Sequence, residues 1–411
     1  MFRIQSNLVQ SYTVALALIS IGVIVTGCSG VPRNAVPEHL TSSATVPNLA
    51  GIRYWGDEPP SNMADEVREI IGQRRAAGDR AYQRGGRPRI NILVLSGGGD
   101  NGAYGAGLLN GWSDRGTRPQ FDIVTGVSTG ALTAPFAFLG ARYDRVMKDV
   151  YTAYNADDYF DARPLQGLLG GSSLADVAPL YRLISYYAND ALIDAVAREH
   201  RKGRRLLVQT TNLDAQRPVI WDMGAIAGYR SAKARELFRR VLLASASIPA
   251  IFPPVQIRVR ADGRDYEEMH VDGGTVSQQA GLSDWIFRTH DLVKASGLRP
   301  VRTIYIVRNN TVSPEWESVD NNVLTIAARA SSTAIKYQGN ADLYMDYLAA
   351  RERGAEFRAT AIGDDFGVKY VGPFNRKYMN QLYSYGYAKG RHGSPWQNSP
   401  TRLLKAASAG P

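Results

Sequence analysis

Three short stretches of the chain hold the residue types that ester hydrolysis needs. Residues 126–130 read GVSTG, a Gly-x-Ser-x-Gly with Ser128 at its centre and Gly126 and Gly130 flanking it. Residues 269–274 read MHVDGG, an apolar run that ends on Asp272, Gly273 and Gly274. Residues 96–102 read SGGGDNG, where Gly97, Gly98, Gly99 and Gly102 crowd into seven positions. A serine hydroxyl is a poor nucleophile at neutral pH and needs a base within hydrogen-bond reach. A tetrahedral intermediate needs N–H donors aimed at its oxyanion. These stretches could supply nucleophile, base and donors.

The glycine-rich stretch fits three templates by itself. A phosphate-cradling loop needs Gly-Lys-Ser/Thr after its glycines, and no lysine stands between residues 89 and 147. A dinucleotide fingerprint fits better, since Gly97-x-Gly99-x-x-Gly102 follows an apolar run and opens a helical pattern. Its ribose-binding acid belongs at the end of the second strand, yet Asp122 opens that strand. On this reading the protein would be a nucleotide-binding oxidoreductase. The third template is an oxyanion hole, with successive backbone N–H groups at a helix start. Ser128 and Asp272 choose the third.

The elements that must position these residues are legible around them. INILVLS at 90–96 is a continuous apolar run bounded by glycine, which suits a buried parallel strand. AYGAGLLNGWSDR then reads as a helix, FDIVTG as a second buried strand and STGALTAPFAFLG as a second helix. Strand, glycine turn and helix, repeated, predict βαβ units in an α/β domain with a mostly parallel sheet. Ser128 would stand at a strained strand-to-helix turn, exposed at the carboxyl end of the sheet. RRLLVQTTNLD (204–214) and VRTIYIVRNN (301–310) predict further strands, KARELFRRVLLASASI a helix, and TIAARASSTAIKYQGNADLYMDYLAARER a long helix or helix pair. Asp262-Gly263 marks a hairpin ahead of Asp272. Of the five histidines, His270 shares a strand face with Asp272 and is the one that could approach the site; His39, His200, His290 and His392 lie elsewhere.

The N-terminus speaks to location. Arg3 is followed by the uninterrupted apolar and small-residue run YTVALALISIGVIVTG, the pattern of a secretory signal. The run ends in VTGC, and Cys28 is the single cysteine of the chain, so no internal disulfide can form. VTGC resembles the lipobox of bacterial lipoproteins, which implies lipidation at Cys28. Ser29 after it is similar to an outer-membrane address. The expected place is the bacterial cell envelope, lipid-anchored at the outer membrane. The net charge of +10 over 411 residues suits an anionic interface. No dense Lys/Arg block interleaved with aromatics is present, so nucleic acid is not expected as a partner. No paired-His motif points to a metal, and no cofactor is implied.

In this order, LVLSGGGDNGAYGAG, GVSTG, ASASIPAIFPPV and VDGG resemble the patatin-like phospholipase family, over roughly residues 89–285. YMNQLYSYGYAKGR is similar to the closing helix of many members. The resemblance implies a three-layer α/β/α sandwich with a mostly parallel central sheet, and a Ser–Asp dyad that uses no histidine. It implies Ser128 as nucleophile, Asp272 as base, and Gly97, Gly98 and Gly99 as the oxyanion loop, Gly98 and Gly99 giving N–H groups and Gly97 shaping the turn. The substrate it implies is a phospholipid or another lipid ester. Three positions depart from the family. Ser96 stands where an aspartate is common, Asn101 where an Arg or Lys is usual, and TVSQQAG follows Asp272 in place of an Asn-x-Pro pattern. Asn101 keeps a second reading open, a weakly active or inactive patatin-fold envelope lipoprotein that binds or scaffolds. The expected organisation is a lipoprotein signal peptide over 1–27, a Pro/Ser/Thr/Asn-rich tether over 28–60, an N-terminal helix within 61–88, the catalytic core over 89–285, completing strands and helices over 286–390, and a flexible tail over 391–411. The oligomeric state is not legible.

Overall fold

The apolar runs fold as strands of one nine-stranded sheet in a computed structural model, which describes residues 33–162, 173–280, 289 and 291–408. The strands are β1 (Arg53–Trp55), β2 (Arg89–Leu95), β3 (Ile123–Val127), β4 (Arg205–Asn212), β5 (Arg217–Asp222), β6 (Val255–Ala261), β7 (Arg264–Asp272), β8 (Val301–Thr311) and β9 (Glu356–Ile362). They lie in the order β1-β5-β4-β3-β2-β8-β9, with the β6–β7 hairpin attached through β7 to β4. The five central and far-edge strands β4, β3, β2, β8 and β9 run parallel; β1, β5, β6 and β7 are antiparallel additions.

A parallel sheet is apolar on both faces because helices cover both, and β2 shows it. Leu93 and Leu95 point into one buried cluster, Ile92 and Val94 into another. The first cluster is closed by α2 (Gly102–Asp114), α3 (Thr129–Leu139), α4 (Asp144–Thr152), α5 (Ala178–Tyr187), α6 (Asp190–His200), α7 (Ala232–Ser245) and α9 (Arg376–His392). The second is closed by α1 (Met63–Ala76), the 30-residue α8 (Val323–Glu352) and α10 (Pro400–Ser408). The expected α/β/α sandwich with a mostly parallel sheet is therefore the fold. The stretch at 323–352 is one helix, not a pair. The closing helix α9 packs on α2 backbone to backbone. A Cβ on Gly107 or Gly111 would sit 2.0–2.1 Å from the carbonyls of Tyr383 or Tyr387, and one on Gly386 or Gly390 2.1–2.3 Å from those of Tyr104 or Leu108.

Two expectations about the chain ends are corrected. From residue 33 on, the segment expected as a tether over 28–60 is part of the domain. Its β1 pairs with β5, Glu267 N–H donates to the Asn34 carbonyl, and Ala44, Leu49 and Ile52 are buried in the larger core. Arg53 forms a bidentate ion pair with the buried Glu268. Its Pro- and Ser-rich composition hid this, because the segment is held by sheet pairing and scattered apolar residues, without a periodic face. The tail expected over 391–411 is also docked: Trp396 packs on Trp112 and Tyr305, Gln397 pairs with Ala359, and Leu403 of α10 is buried. Strand β5, RPVIWD, carried no expectation. Cys28 and the expected signal peptide lie outside the described residues, as do His290 and residues 281–288. Among the described residues no helix is long and apolar enough to cross a membrane.

Candidate active site

Ser128 follows β3 and caps α3 with φ 55° and ψ −125°. A non-glycine residue in that region stores roughly 1–3 kcal/mol of strain and persists only where its surroundings hold it. They do so here. Its N–H donates to the Ser245 hydroxyl (3.0 Å), which in turn donates to the Gln209 carbonyl (2.7 Å). Its carbonyl accepts from Ala131 and Leu132 of the first turn. The turn is the expected one, but the serine on it is buried, not exposed, and the loop after β2 lies against it, a Cβ on Gly97 falling 3.3 Å from the Ser128 Cβ. The flanking glycines are steric requirements: a Cβ on Gly126 would lie 2.4 Å from the Gly130 oxygen, and one on Gly130 2.2 Å from the Leu95 oxygen.

The sheet register brings Asp272 to this serine across 144 positions of chain. One edge of β4 pairs with β3 as far as Val127↔Gln209. At the next residue, β7 takes over that edge antiparallel, with Asp272↔Thr210. The residue after Val127 is Ser128, so β3 and β7 deliver their last residues to adjoining positions. The Asp272 carboxylate accepts the Gly274 N–H at 2.7 Å and interacts with the Ser128 hydroxyl. Its own N–H donates to the Ser247 carbonyl. Burial pushes its carboxyl up from 3.8 to about 7, against the opposing pull of the Ser128 and Gly274 hydrogen bonds. At neutral pH such a group is poised to take or give a proton.

The glycine-rich stretch joins them from β2. Gly98 and Gly99 have φ of 153° and 58°. A Cβ on Gly98 would lie 2.1 Å from the Asn309 carbonyl, whereas Gly99 has open space where its Cβ would be. Gly97 N–H is taken by the Gln278 carbonyl at 3.2 Å; those of Gly98 and Gly99 donate to no backbone carbonyl among the described residues. Gly102 lets α2 start against α3, since a Cβ there would lie 2.1 Å from the Thr129 hydroxyl. Gly273 and Gly274 are equally confined, by the Gln209 carbonyl (2.6 Å) and the Gln278 amide (2.7 Å).

Several positioning residues carried no sequence expectation. Asn309 at the end of β8 clamps the loop: its N–H donates to the Ser96 hydroxyl, its amide to the Ser96 carbonyl, and its side-chain oxygen accepts from Gly105. Ser96 itself donates to the Gly97 carbonyl (2.8 Å), so the departure from aspartate leaves the turn braced by a neutral hydroxyl. Gln278, in the divergent TVSQQAG, links three elements. It accepts from Gly97, donates its amide to the Gly274 carbonyl, and its N–H goes to Asp342 on α8. That divergence was the one available signal for Gln278. Asn101 is bonded to Asn310 and accepts from the Tyr378 hydroxyl, fixing the loop to β8 and α9 without a charge. His270 is fully buried and occupied by Glu268 (2.9 Å) and Thr210 (2.9 Å), so both ring nitrogens are used away from Ser128. Among the described residues, no group of three or more His, Cys, Asp or Glu could hold a metal ion.

Residues 93–278, which span the glycine-rich loop, Ser128 and Asp272, match the family described as patatin-like phospholipase. The chain carries a patatin-like phospholipase domain. Its mixed, mostly parallel sheet with helices on both sides is the patatin fold, and β1, α8, β9 and α9 extend the structure beyond the matched residues. No curated protein matches the chain. Among solved structures, VipD from Legionella pneumophila is similar at 12% identity and TM-score 0.35, over 78% of this chain and 68% of that one. Human GIVD cytosolic phospholipase A2 is similar at 10% identity and TM-score 0.34, over 86% of this chain and 65% of that one.

Proposed function

We propose that the patatin domain is a lipid acyl hydrolase that works through an acyl-enzyme on Ser128. The observation that carries the reading is the meeting of a strained serine with one buried carboxyl held near neutral pKa. Asp272 takes the hydroxyl proton as Ser128 Oγ attacks the ester carbonyl. The N–H groups of Gly98 and Gly99 stabilise the oxyanion, a contribution of about 3–4 kcal/mol per donor in comparable sites. Protonated Asp272 returns the proton to the leaving alcohol. It then draws a proton from water, whose attack on the acyl-enzyme releases the acid and restores Ser128. The substrate class, a phospholipid or related lipid ester, follows the family description.

Cys28 is the proposed acylation site, and the envelope the proposed location, on the strength of the VTGC motif and the preceding apolar run. The test is labelling by a fluorophosphonate probe, with Ser128→Ala as control. Labelling of the wild type and not of Ser128→Ala is expected. An unlabelled wild type refutes the hydrolase and leaves the scaffold reading, which the uncharged Asn101 supports.

A further inference from the structure

Helix α8 is patterned inside out. From Val323 to Gln338, about 24 Å of helix, no described side chain is fully buried, and the contacts to the body are polar: Arg329 to Glu317, Lys336 to Thr311 and Glu315, and Gln338 to the Val276 carbonyl. Full burial begins only at Gly339 and continues through Leu343, Asp346 and Ala350. Along its outer face, positions spaced alternately four and three apart read Val323, Ala327, Ala330, Ala334, Tyr337, Ala341, Tyr344 and Leu348, and every one is exposed. Val323 is 81% exposed, Tyr337 58% and Leu348 56%. Sustained 4-3 spacing of apolar residues is the seam of a coiled coil, and a continuous apolar strip of this size on a surface marks an interaction site.

We propose that this strip pairs with the same strip of a second copy, antiparallel, about a two-fold axis between residues 335 and 336. In that register Val323 meets Leu348 of the second copy, Ala327 meets Tyr344, Ala330 meets Ala341 and Ala334 meets Tyr337. Alanine faces tyrosine or alanine in the three inner pairs and Val323 faces Leu348 at the ends, so the patch is complementary to itself, as two-fold pairing requires. Beyond the seam the exposed Asp320 approaches Arg351 of the second copy at both ends, opposite charges meeting. The charges of the helix interior, Arg329, Lys336, Asp342 and Asp346, lie off the seam, and Arg329 and Lys336 are paired with Glu317 and Glu315. The pairing lays the half from Val323 to Gln338 on the half from Thr333 to Leu348 of the second copy. The strip is about 38 Å long, and two such helices can cover on the order of the 800 Å² per partner that a specific interface buries. The same helix accepts from Gln278 N–H through Asp342 and donates from Gln338 to the Val276 carbonyl, which leaves its outer strip free while its inner face holds the loop after β7.

The test is cross-linking of the full chain in membranes and its mass in detergent solution. Ala330→Cys with Ala341→Cys gives a covalent dimer on mild oxidation. The two positions lie about 16 Å apart within one helix, too far for an internal bridge. Ala330→Cys with Leu348→Cys, one heptad out of register, does not cross-link. Tyr337→Glu, at an exposed position, converts the dimer mass to that of a monomer and leaves fluorophosphonate labelling intact. A monomeric wild type, or equal cross-linking by both cysteine pairs, overturns the proposal. So does a monomer in which Tyr337→Glu, placed on Cys28→Ser, abolishes co-sedimentation with phosphatidylethanolamine–phosphatidylglycerol vesicles, a result that assigns the strip to a lipid surface.

Discussion

Replacing Asp272 with asparagine is expected to inactivate the protein and stabilise it at the same time, by an amount that depends on pH. The carboxyl is 5% exposed, and burial raises it from 3.8 to about 7. Between those values the folded protein holds a proton that the unfolded chain has released, so stability falls as pH rises, from about 4 until the folded group ionises near 7. Each tenfold difference in proton affinity between the folded and unfolded chain is worth about 1.4 kcal/mol. Between pH 5 and pH 8.5 the wild type therefore loses about 3 kcal/mol that Asp272→Asn keeps. Asparagine can still accept the Gly274 N–H, so the loop is not otherwise disturbed. Urea denaturation of both proteins at pH 5 and pH 8.5 measures the gap, and fluorophosphonate labelling measures the chemistry. The expected result is a stability gap that opens toward high pH in a variant that no longer labels. A gap that is constant with pH, or one that closes as pH rises, refutes the claim that Asp272 is a desolvated acid titrating near neutrality. Retained labelling refutes its role as the base.

The labelling rate of the wild type should rise with pH through an inflection near 7, because only ionised Asp272 can accept the Ser128 proton; a flat profile between pH 5 and 9 contradicts this. Gly98→Ala forces a Cβ to 2.1 Å from the Asn309 carbonyl at a φ of 153°, and is expected to cut labelling at least ~100-fold while circular dichroism stays native. Arg53→Ala leaves Glu268 buried with His270 as its remaining partner and without the guanidinium that, with His270, holds its carboxyl down at about 2. It should cost about 3–5 kcal/mol in urea denaturation, showing that residues 33–60 belong to the folded unit; an unchanged midpoint would return them to the status of a tether.

The two βαβ units, the Asp262-Gly263 hairpin and the places of Ser128, Gly98 and Gly99 were legible because each is a local matter. Apolar period, a glycine at a required φ and a strand-to-helix turn are written within about ten residues. Asn309, Gln278 and Ser245 were not legible. They reach the site through strand β8, a divergent loop and helix α7, and an isolated Asn, Gln or Ser in a sequence gives no sign of which carbonyl it will meet. The same limit hid β1 and the docked tail. An edge strand of three residues and a packed Trp396 have no period of their own, and they are held by partners far along the chain.

By itself the sequence determined which residues could do chemistry and the strand–turn–helix geometry that carries the serine, because steric and periodic constraints act between neighbours. Only the tertiary structure decided that Asp272 meets Ser128, that His270 does not, and that burial raises the Asp272 carboxyl toward neutrality. The first two follow from register: β3 leaves the edge of β4 at Gln209 and β7 joins it at Thr210. The third follows from burial. Register and burial both depend on how distant segments pack against one another.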